Sequence, residues 1–221
     1  KISKIDPFSS IDIIKNQFNK NSEITIFDIG AHHGQSAKIY RDLFSNALIY
    51  SFEPYPYSYN ILSNLKMDRF TTYNIGFSNK KSREALLINE KKDSTNSLFP
   101  FSNNANKVWG LKSLKNSKSV MCDFDTIDNF CSKEFINQID FMKIDVQGAE
   151  YLVLEGAKEA LLDKTIKLIQ LEVISGDTYI GQKSIGFYIN FLESYGYKLK
   201  IFSDNIVKNG ILVQSDLFFI S

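Results

Sequence analysis

Two short stretches carry side chains able to do chemistry. In FDIGAHHGQS an apolar run ends on Asp28 and breaks into Gly30, Ala31, His32, His33 and Gly34, followed by Gln35 and Ser36. In FMKIDVQ, Lys143 and Asp145 stand two apart on an apolar run, so as strand residues they project to the same side. An aspartate beside a lysine is held ionised and is able to take up a proton from a reacting group.

The glycine spacing bears on the ligand. Dinucleotide sites carry G-x-G-x-x-G, because their backbone must approach a pyrophosphate closely. Here the middle glycine is absent and an acid stands at the end of the run. Such a turn suits a ligand with no pyrophosphate, a cationic centre, and a carboxylate that a helix N-terminus receives. S-adenosylmethionine meets all three conditions. Asp28 would favour its ammonium or sulfonium side, and Gly30 to Ser36, including Ala31, His32, Gly34 and Gln35, would wrap its methionine part.

A second apolar run, ALIYSFEP, ends on Glu53 and Pro54, where an acid can accept hydrogen bonds from both ribose hydroxyls. That acid alone fits a nicotinamide dinucleotide equally well. In NIGFS, Gly76 and Phe77 would reach the adenine edge. The plain alternative is that Asp28 caps the next helix and Glu53 is a surface charge.

Methyl transfer from a sulfonium to a nucleophile is an in-line displacement, so an enzyme chiefly aligns nucleophile, methyl and sulfur and accepts a proton. Asp145 is the first candidate base, and it also borders the cofactor; Lys143 holds it ionised or steers the acceptor group. Glu172, at the end of LIQLEV, is the candidate for acceptor binding. His33 is the second candidate acid or base. Glu150 opens a helix, where an acid favours the dipole, and is expected to be structural. Asp145, Glu150 and Glu172 could gather a magnesium ion, but their spacing does not require one, and no metal is expected.

Positioning these groups takes strands alternating with helices. A helix starts behind Asp6 or Ser9, with apolar residues at Ile11, Ile14 and Phe18. EITIFDIG, ALIYSFEP, RFTTYNIGF, IDFMKIDV and IKLIQLEVI read as strands. Helices follow at about Gln35 to Phe44, at YSYNILSNLKM, TIDNFCSKEF, AEYLVLEGAKEALL and SIGFYINFLESYG. YKLKIF and DLFFIS, with no helix between them, are expected to pair antiparallel at one edge. The alternation predicts right-handed crossovers in an α/β, doubly wound, mostly parallel, Rossmann-like sheet with helices on both faces. One stretch departs from it: from about 89 to 119 the chain is rich in Asn, Ser and Lys, with Phe99, Phe101 and Trp109 among them. It reads as a surface insertion or as a flap over the acceptor site.

The whole chain, 221 residues with 43% hydrophobic and 23% charged, is long enough for one sizeable domain and is neither disordered nor membrane-like in composition. Lys+Arg 26 against Asp+Glu 25 gives no basic footprint for nucleic acid. Cys122 and Cys131 are too far apart for a CxxC motif and are expected to be reduced thiols of a cytoplasmic protein. No apolar run is long enough for a membrane span, and the first residues carry no signal-peptide core. The first residue is Lys1, which leads to the expectation of a piece of a larger protein.

The chain resembles the FkbM-type methyltransferase family over FDIGAHHGQS, YSFEPYPYSYNIL, NIGFSNKKSREALL, TNSL, DTIDNF, IDFMKIDVQGAEYLVLEGA and LIQLEV. KIDVQGAEYLVLEGA is the most specific of these. Where many relatives have Glu in DVEG, this chain has Gln147. The resemblance implies an S-adenosylmethionine-dependent O-methyltransferase that modifies hydroxyls on natural products and glycans, and a seven-stranded sheet of order 3-2-1-4-5-7-6. The expected acceptor is a sugar hydroxyl on a polysaccharide or glycolipid. The rival readings are a nicotinamide-dependent oxidoreductase, opposed by the missing G-x-G-x-x-G and YxxxK, and a non-catalytic binding module, opposed by the intact first motif.

Overall fold

The computed structural model describes residues 2–3 and 9–221. After β1 (Ile2–Ser3), helix α1 (Ser10–Gln17) starts on a capping box: Asp12 N donates to Ser9 Oγ at 3.3 Å while Ser9 N donates to the Asp12 carboxylate at 3.2 Å. Asp6, the other expected cap, lies outside the described residues. The alternation then runs as the apolar pattern predicts, through β2 (Thr25–Ile29), α2 (Gln35–Leu43), β3 (Leu48–Phe52), α3 (Pro56–Ser63) and β4 (Phe70–Tyr73).

Here the chain leaves the main sheet. RFTTYNIGF is not one strand: it splits into β4 and β5 (Gly76–Phe77), which belongs to a second, three-stranded sheet with β6 (Ser82–Ile88) and β7 (Lys118–Asp125), in the order β5-β7-β6. The reason lies in Asn74. Its amide donates to the carbonyl of Glu53 (2.8 Å), the acceptor a continuing strand would have used, and to that of Pro54 (3.1 Å). Between β6 and β7 lie a 3-10 turn (Asp93–Thr95) and α4 (Ala105–Trp109), within the stretch expected as an insertion.

The remaining elements are α5 (Ile127–Glu134), β8 (Ile139–Ile144), α6 (Glu150–Glu155), α7 (Lys158–Leu162), β9 (Ile166–Ile174), α8 (Ile185–Ser194), β10 (Lys198–Lys208) and β11 (Ile211–Ile220). AEYLVLEGAKEALL forms two short helices, not one. The break falls at Gly156, where a Cβ would stand 2.1 Å from the Ser78 carbonyl oxygen, so the chain passes there on glycine alone.

The main sheet has the order β1-β10-β11-β9-β8-β2-β3-β4. Counting its seven longer strands along the chain gives 3-2-1-4-5-7-6, with β1 added outside β10, a strand the sequence did not announce. β2, β3, β4, β8 and β9 run parallel, and β11 pairs antiparallel with both β9 and β10. Strand alternation divides the core into two layers. Phe27, Met142, Ile169 and Phe219 pack on one face with Val153, Leu154 and Tyr188; Ile26, Phe141, Leu168 and Phe218 pack on the other with Ile14, Ala37 and Tyr40. Among the described residues, no helix is long and apolar enough to cross a membrane.

Candidate active site

Five parallel strands in this order place their carboxyl ends along one rim, and the strand order reverses beside β2. β2 leaves its ladder after Ile29, which pairs with Phe52 and Ile144. The amides of Gly30 and Ala31 both donate to the Phe52 carbonyl, at 3.1 and 3.0 Å. Gly30 has φ +80°, and a Cβ there would lie 1.9 Å from the Asp145 carbonyl oxygen. The turn therefore packs directly on the end of β8.

Glu53 fixes the next part of the turn. Its carboxylate accepts from His32 N and from Tyr55 N, both at 2.9 Å. Burial pushes its pKa up to about 7, against the pull of those two amides. A cavity of about 270 Å³ opens here. Gly30, Ala31, His32, Gln35 and Ser36 line it from the turn and the start of α2, Glu53 and Pro54 from just past β3, Gly76 and Phe77 from β5, and Asp145 from just past β8.

Two residues expected in that set are placed elsewhere. Asp28 is fully buried behind the cavity wall, and Gly34 stands at the N-cap of α2. Asp28 has Ser51 and Lys143 as register partners, and Lys143 has Gln170, so a polar row crosses β3, β2, β8 and β9 inside the sheet. Leu86, Leu98 and Phe124 also line the cavity, and sequence reading missed them. The signal was present in SVMCDFD, where Val120, Cys122 and Phe124 alternate with Met121, Asp123 and Asp125 in strand period.

Lys143 and Asp145 are brought together as expected, with Nζ donating to Asp145 Oδ2 at 3.0 Å. Lys143 Nζ also lies 3.9 Å from Asp28 Oδ1. Burial alone would strip the proton from this lysine, but the two carboxylates outweigh it and hold its pKa well above the ordinary value. Burial pushes Asp145 up as well, yet the Lys143 charge and hydrogen bond, joined by Gln147 and Glu172, bring it below the usual carboxylate range. Gln147 Nε2 donates to Asp145 Oδ1 at 2.7 Å, and the Tyr179 hydroxyl stands 3.0 Å from Gln147 Oε1. Glu172 is pushed well above its usual range, by burial first and then by the Asp145 charge. The two neighbouring carboxyls are thus pushed in opposite directions, Asp145 towards the ionised form by Lys143 and Glu172 towards the protonated form by burial.

A second cavity, of about 330 Å³, lies on the far side of Asp145. Asp145, Gln147 and Ser94 line both cavities. Glu172, Phe101, Trp109, Thr178 and Tyr179 line the second alone. The 89–119 stretch reaches it in ordered form: Leu87 bridges Ser97, Phe101 bridges Tyr179, and Trp109 Nε1 donates to Thr178 Oγ1 at 2.8 Å.

His33 lines neither cavity. Its ring stacks on that of His32 with centroids 3.7 Å apart, and Nε2 lies 3.6 Å from an oxygen of Asp93. Glu150 is turned inward, accepting from Val146 N (3.2 Å), Gly148 N (2.9 Å) and the Tyr188 hydroxyl (3.2 Å). It braces the loop after β8 and is not gathered with Asp145 and Glu172 around a common point.

The model of the methyltransferase FkbM domain family matches residues 28–199. The chain is 26% identical over 187 residues to the 2-O-methyltransferase NoeI of Sinorhizobium fredii, covering 77% of this chain and 71% of that protein. Its fold is similar to the crystal structure of methyltransferase FkbM from Methylobacillus flagellatus, with TM-score 0.61, 14% identity, and 98% of this chain but 48% of that one covered. The chain thus spans about half the length of that solved relative. It is also similar to Aeropyrum pernix fibrillarin, solved with natively bound S-adenosyl-L-methionine, with TM-score 0.53, 11% identity and coverage of 96% and 73%.

Proposed function

The chain belongs to the FkbM methyltransferase domain family, and from that premise we propose that it is an S-adenosylmethionine-dependent O-methyltransferase acting on a sugar hydroxyl of a polysaccharide or glycolipid. The observation that carries this reading is the position of Asp145, a carboxylate facing two cavities at once.

The first cavity suits the donor. Glu53 is held rigid by two backbone amides and keeps lone pairs free for a ribose diol. Phe77, Leu86, Leu98 and Phe124 form an apolar slot for a purine. Gln35 and Ser36, at the start of α2, are placed for a carboxylate. When bound, S-adenosylmethionine supplies a methyl group made electrophilic by its sulfonium.

The second cavity suits a sugar. Trp109, Phe101 and Tyr179 offer apolar ring surface, while Thr178, Gln214 and Glu172 offer polar partners, which is the mixture a sugar ring with one C–H face and several hydroxyls requires. Asp145 receives a hydrogen bond from the acceptor hydroxyl and takes up its proton as the oxygen attacks. Lys143 keeps Asp145 ionised, and Gln147 fixes the direction in which its oxygens point. Glu172, whose burial favours the protonated form, offers a polar contact on the other side of the acceptor. The distant likeness to a 2-O-methyltransferase supports oxygen as the methylated atom.

The test is a titration of the protein with S-adenosylhomocysteine and, separately, NAD, followed by transfer of labelled methyl from S-adenosylmethionine to saccharide, protein and RNA panels. Micromolar binding of S-adenosylhomocysteine, none of NAD, and label in a saccharide are expected. NAD binding, or label confined to protein or RNA, overturns the reading.

A further inference from the structure

The methyl-transfer chemistry leaves one side-chain cluster unused. His32 and His33, on the turn after β2, face Asp93, the first residue of the 3-10 turn in the insertion. His32 Nε2 lies 3.1 Å from one Asp93 oxygen and His33 Nε2 lies 3.6 Å from the other. Both nitrogens are buried and neither has a hydrogen-bond partner. The ligand atoms of all three residues fall within 4.8 Å of one another, the one such group of His, Cys, Asp and Glu among the described residues.

We propose that His32, His33 and Asp93 bind one divalent transition-metal ion of the zinc type, which fastens the insertion to the cofactor turn. Two imidazole nitrogens and a carboxylate oxygen are a donor set for a borderline ion such as Zn²⁺ or Co²⁺; Mg²⁺ and Ca²⁺ favour oxygen alone. The rings stack 20° from parallel, so their in-plane lone pairs run side by side. One ring must turn about its Cβ–Cγ bond for both to meet a single ion. Side-chain exposures of 20% for His32 and 29% for His33 leave room for that turn. The Gln35 amide lies 3.4 Å from His32 Nδ1, and with its oxygen turned inward it accepts that N–H, as the outer-shell partner of a ligating histidine does. Ser94, next to Asp93, lines both cavities, so an ion here fixes part of the wall that donor and acceptor share. Sequence spacing could not announce the set, because Asp93 arrives from a different sheet.

The test uses the full chain, free of any histidine tag and stripped with a chelator, titrated with Zn²⁺ by calorimetry and with Co²⁺ by visible absorption. One ion per chain is expected, with Co²⁺ bands of low-symmetry nitrogen and oxygen coordination. Asp93→Asn, nearly isosteric and on a turn of the insertion, is expected to weaken Zn²⁺ binding at least tenfold while circular dichroism is unchanged. Zn²⁺ is expected to tighten S-adenosylhomocysteine binding in the parent and not in Asp93→Asn. Absence of stoichiometric binding overturns the proposal, as does parental Zn²⁺ affinity in a folded Asp93→Asn or in a folded His32→Ala, His33→Ala double variant.

Discussion

In the eight-stranded sheet the residues that line the first cavity stand where β2, β3 and β8 end, whereas in the three-stranded sheet some stand within strands, as Leu86 and Phe124 do. The strand ends supply charge and fixed backbone: Glu53, Asp145 and the turn at Gly30. The small sheet and its insertion supply shape, through Leu86, Leu98, Phe124 and Trp109. Topology forces the first set together, since parallel strands at a reversal of order must open a crevice there. The second set can vary its side chains without moving the strand ends, changing only the shape of the cavity walls. Chemistry should therefore fail with changes at the strand ends of the large sheet, donor fit should shift with changes at Leu86, Leu98 and Phe124, and acceptor fit with changes at Trp109.

The largest effect is expected from Gly30→Val. A β-branched residue must enter at φ +80° with its Cβ 1.9 Å from the Asp145 carbonyl oxygen, which moves the end of β8. A stability loss of about 3 kcal/mol or more is expected, with S-adenosylhomocysteine binding abolished. Thermal melting and calorimetry check it; a stable variant that binds normally would break the link between turn and site.

Next comes Asp145→Asn, which keeps the shape but cannot accept the proton. Methyl transfer should slow by about 10²–10⁴ while S-adenosylhomocysteine affinity changes far less. A parental rate in the folded variant would remove Asp145 from the chemistry and leave it as the partner of Lys143.

Glu150 tests the brace behind the same strand end. Burial raises its pKa from 4.5 to about 7, so the fold prefers the protonated form. Its stabilising contribution is complete below the unfolded value near 4.5, falls as pH rises, and is gone above about 7. Across that window the loss amounts to roughly 3 kcal/mol. Glu150→Gln cannot titrate, so its melting temperature relative to the parent should rise between pH 5 and about pH 8. An offset that stays constant with pH would mean that Glu150 titrates as an ordinary surface acid.

The smallest effect is the one that sharpens the contrast. Trp109→Ala should raise the acceptor KM roughly tenfold, about 1.4 kcal/mol, with S-adenosylhomocysteine affinity unchanged. If donor binding fell instead, Trp109 would join Leu86, Leu98 and Phe124 on the donor side, and the insertion's proposed share in the acceptor site would be lost.

The large sheet was legible in the sequence because its signals are local. Apolar runs buried on both faces, glycines at the first turn and acids at strand ends need no knowledge of distant partners. The Lys143–Asp145 pair was legible for the same reason, being two residues apart on one strand. The small sheet was not. Its strands β6 and β7 carry half-exposed alternation diluted by Lys, Ser and Asp, and the departure of β5 depends on Asn74 bonding to the carbonyls of Glu53 and Pro54. The split of AEYLVLEGAKEALL likewise depends on a close pass by Ser78, a residue far away in the chain. Asp28 was read as facing the ligand and is instead enclosed, because its alternation phase aims it into the sheet face that also holds Lys143 and Gln170.

The placement of β11 between β9 and β10 bears on how the chain reaches this state. β10 and β11 are joined by a two-residue turn at Asn209 and Gly210, both at positive φ, which lets them pair locally as a hairpin. Until β11 docks on β9, its second edge carries open N–H and C=O groups beside Leu217, Phe218 and Phe219, all fully enclosed in the finished sheet. A second molecule's hairpin can pair with that edge in place of β9. Refolding from denaturant should therefore lose yield as protein concentration rises, and a charged residue at Ile220, at the rim of that strand, should recover part of it. A yield independent of concentration would show that the edge closes before two chains can meet.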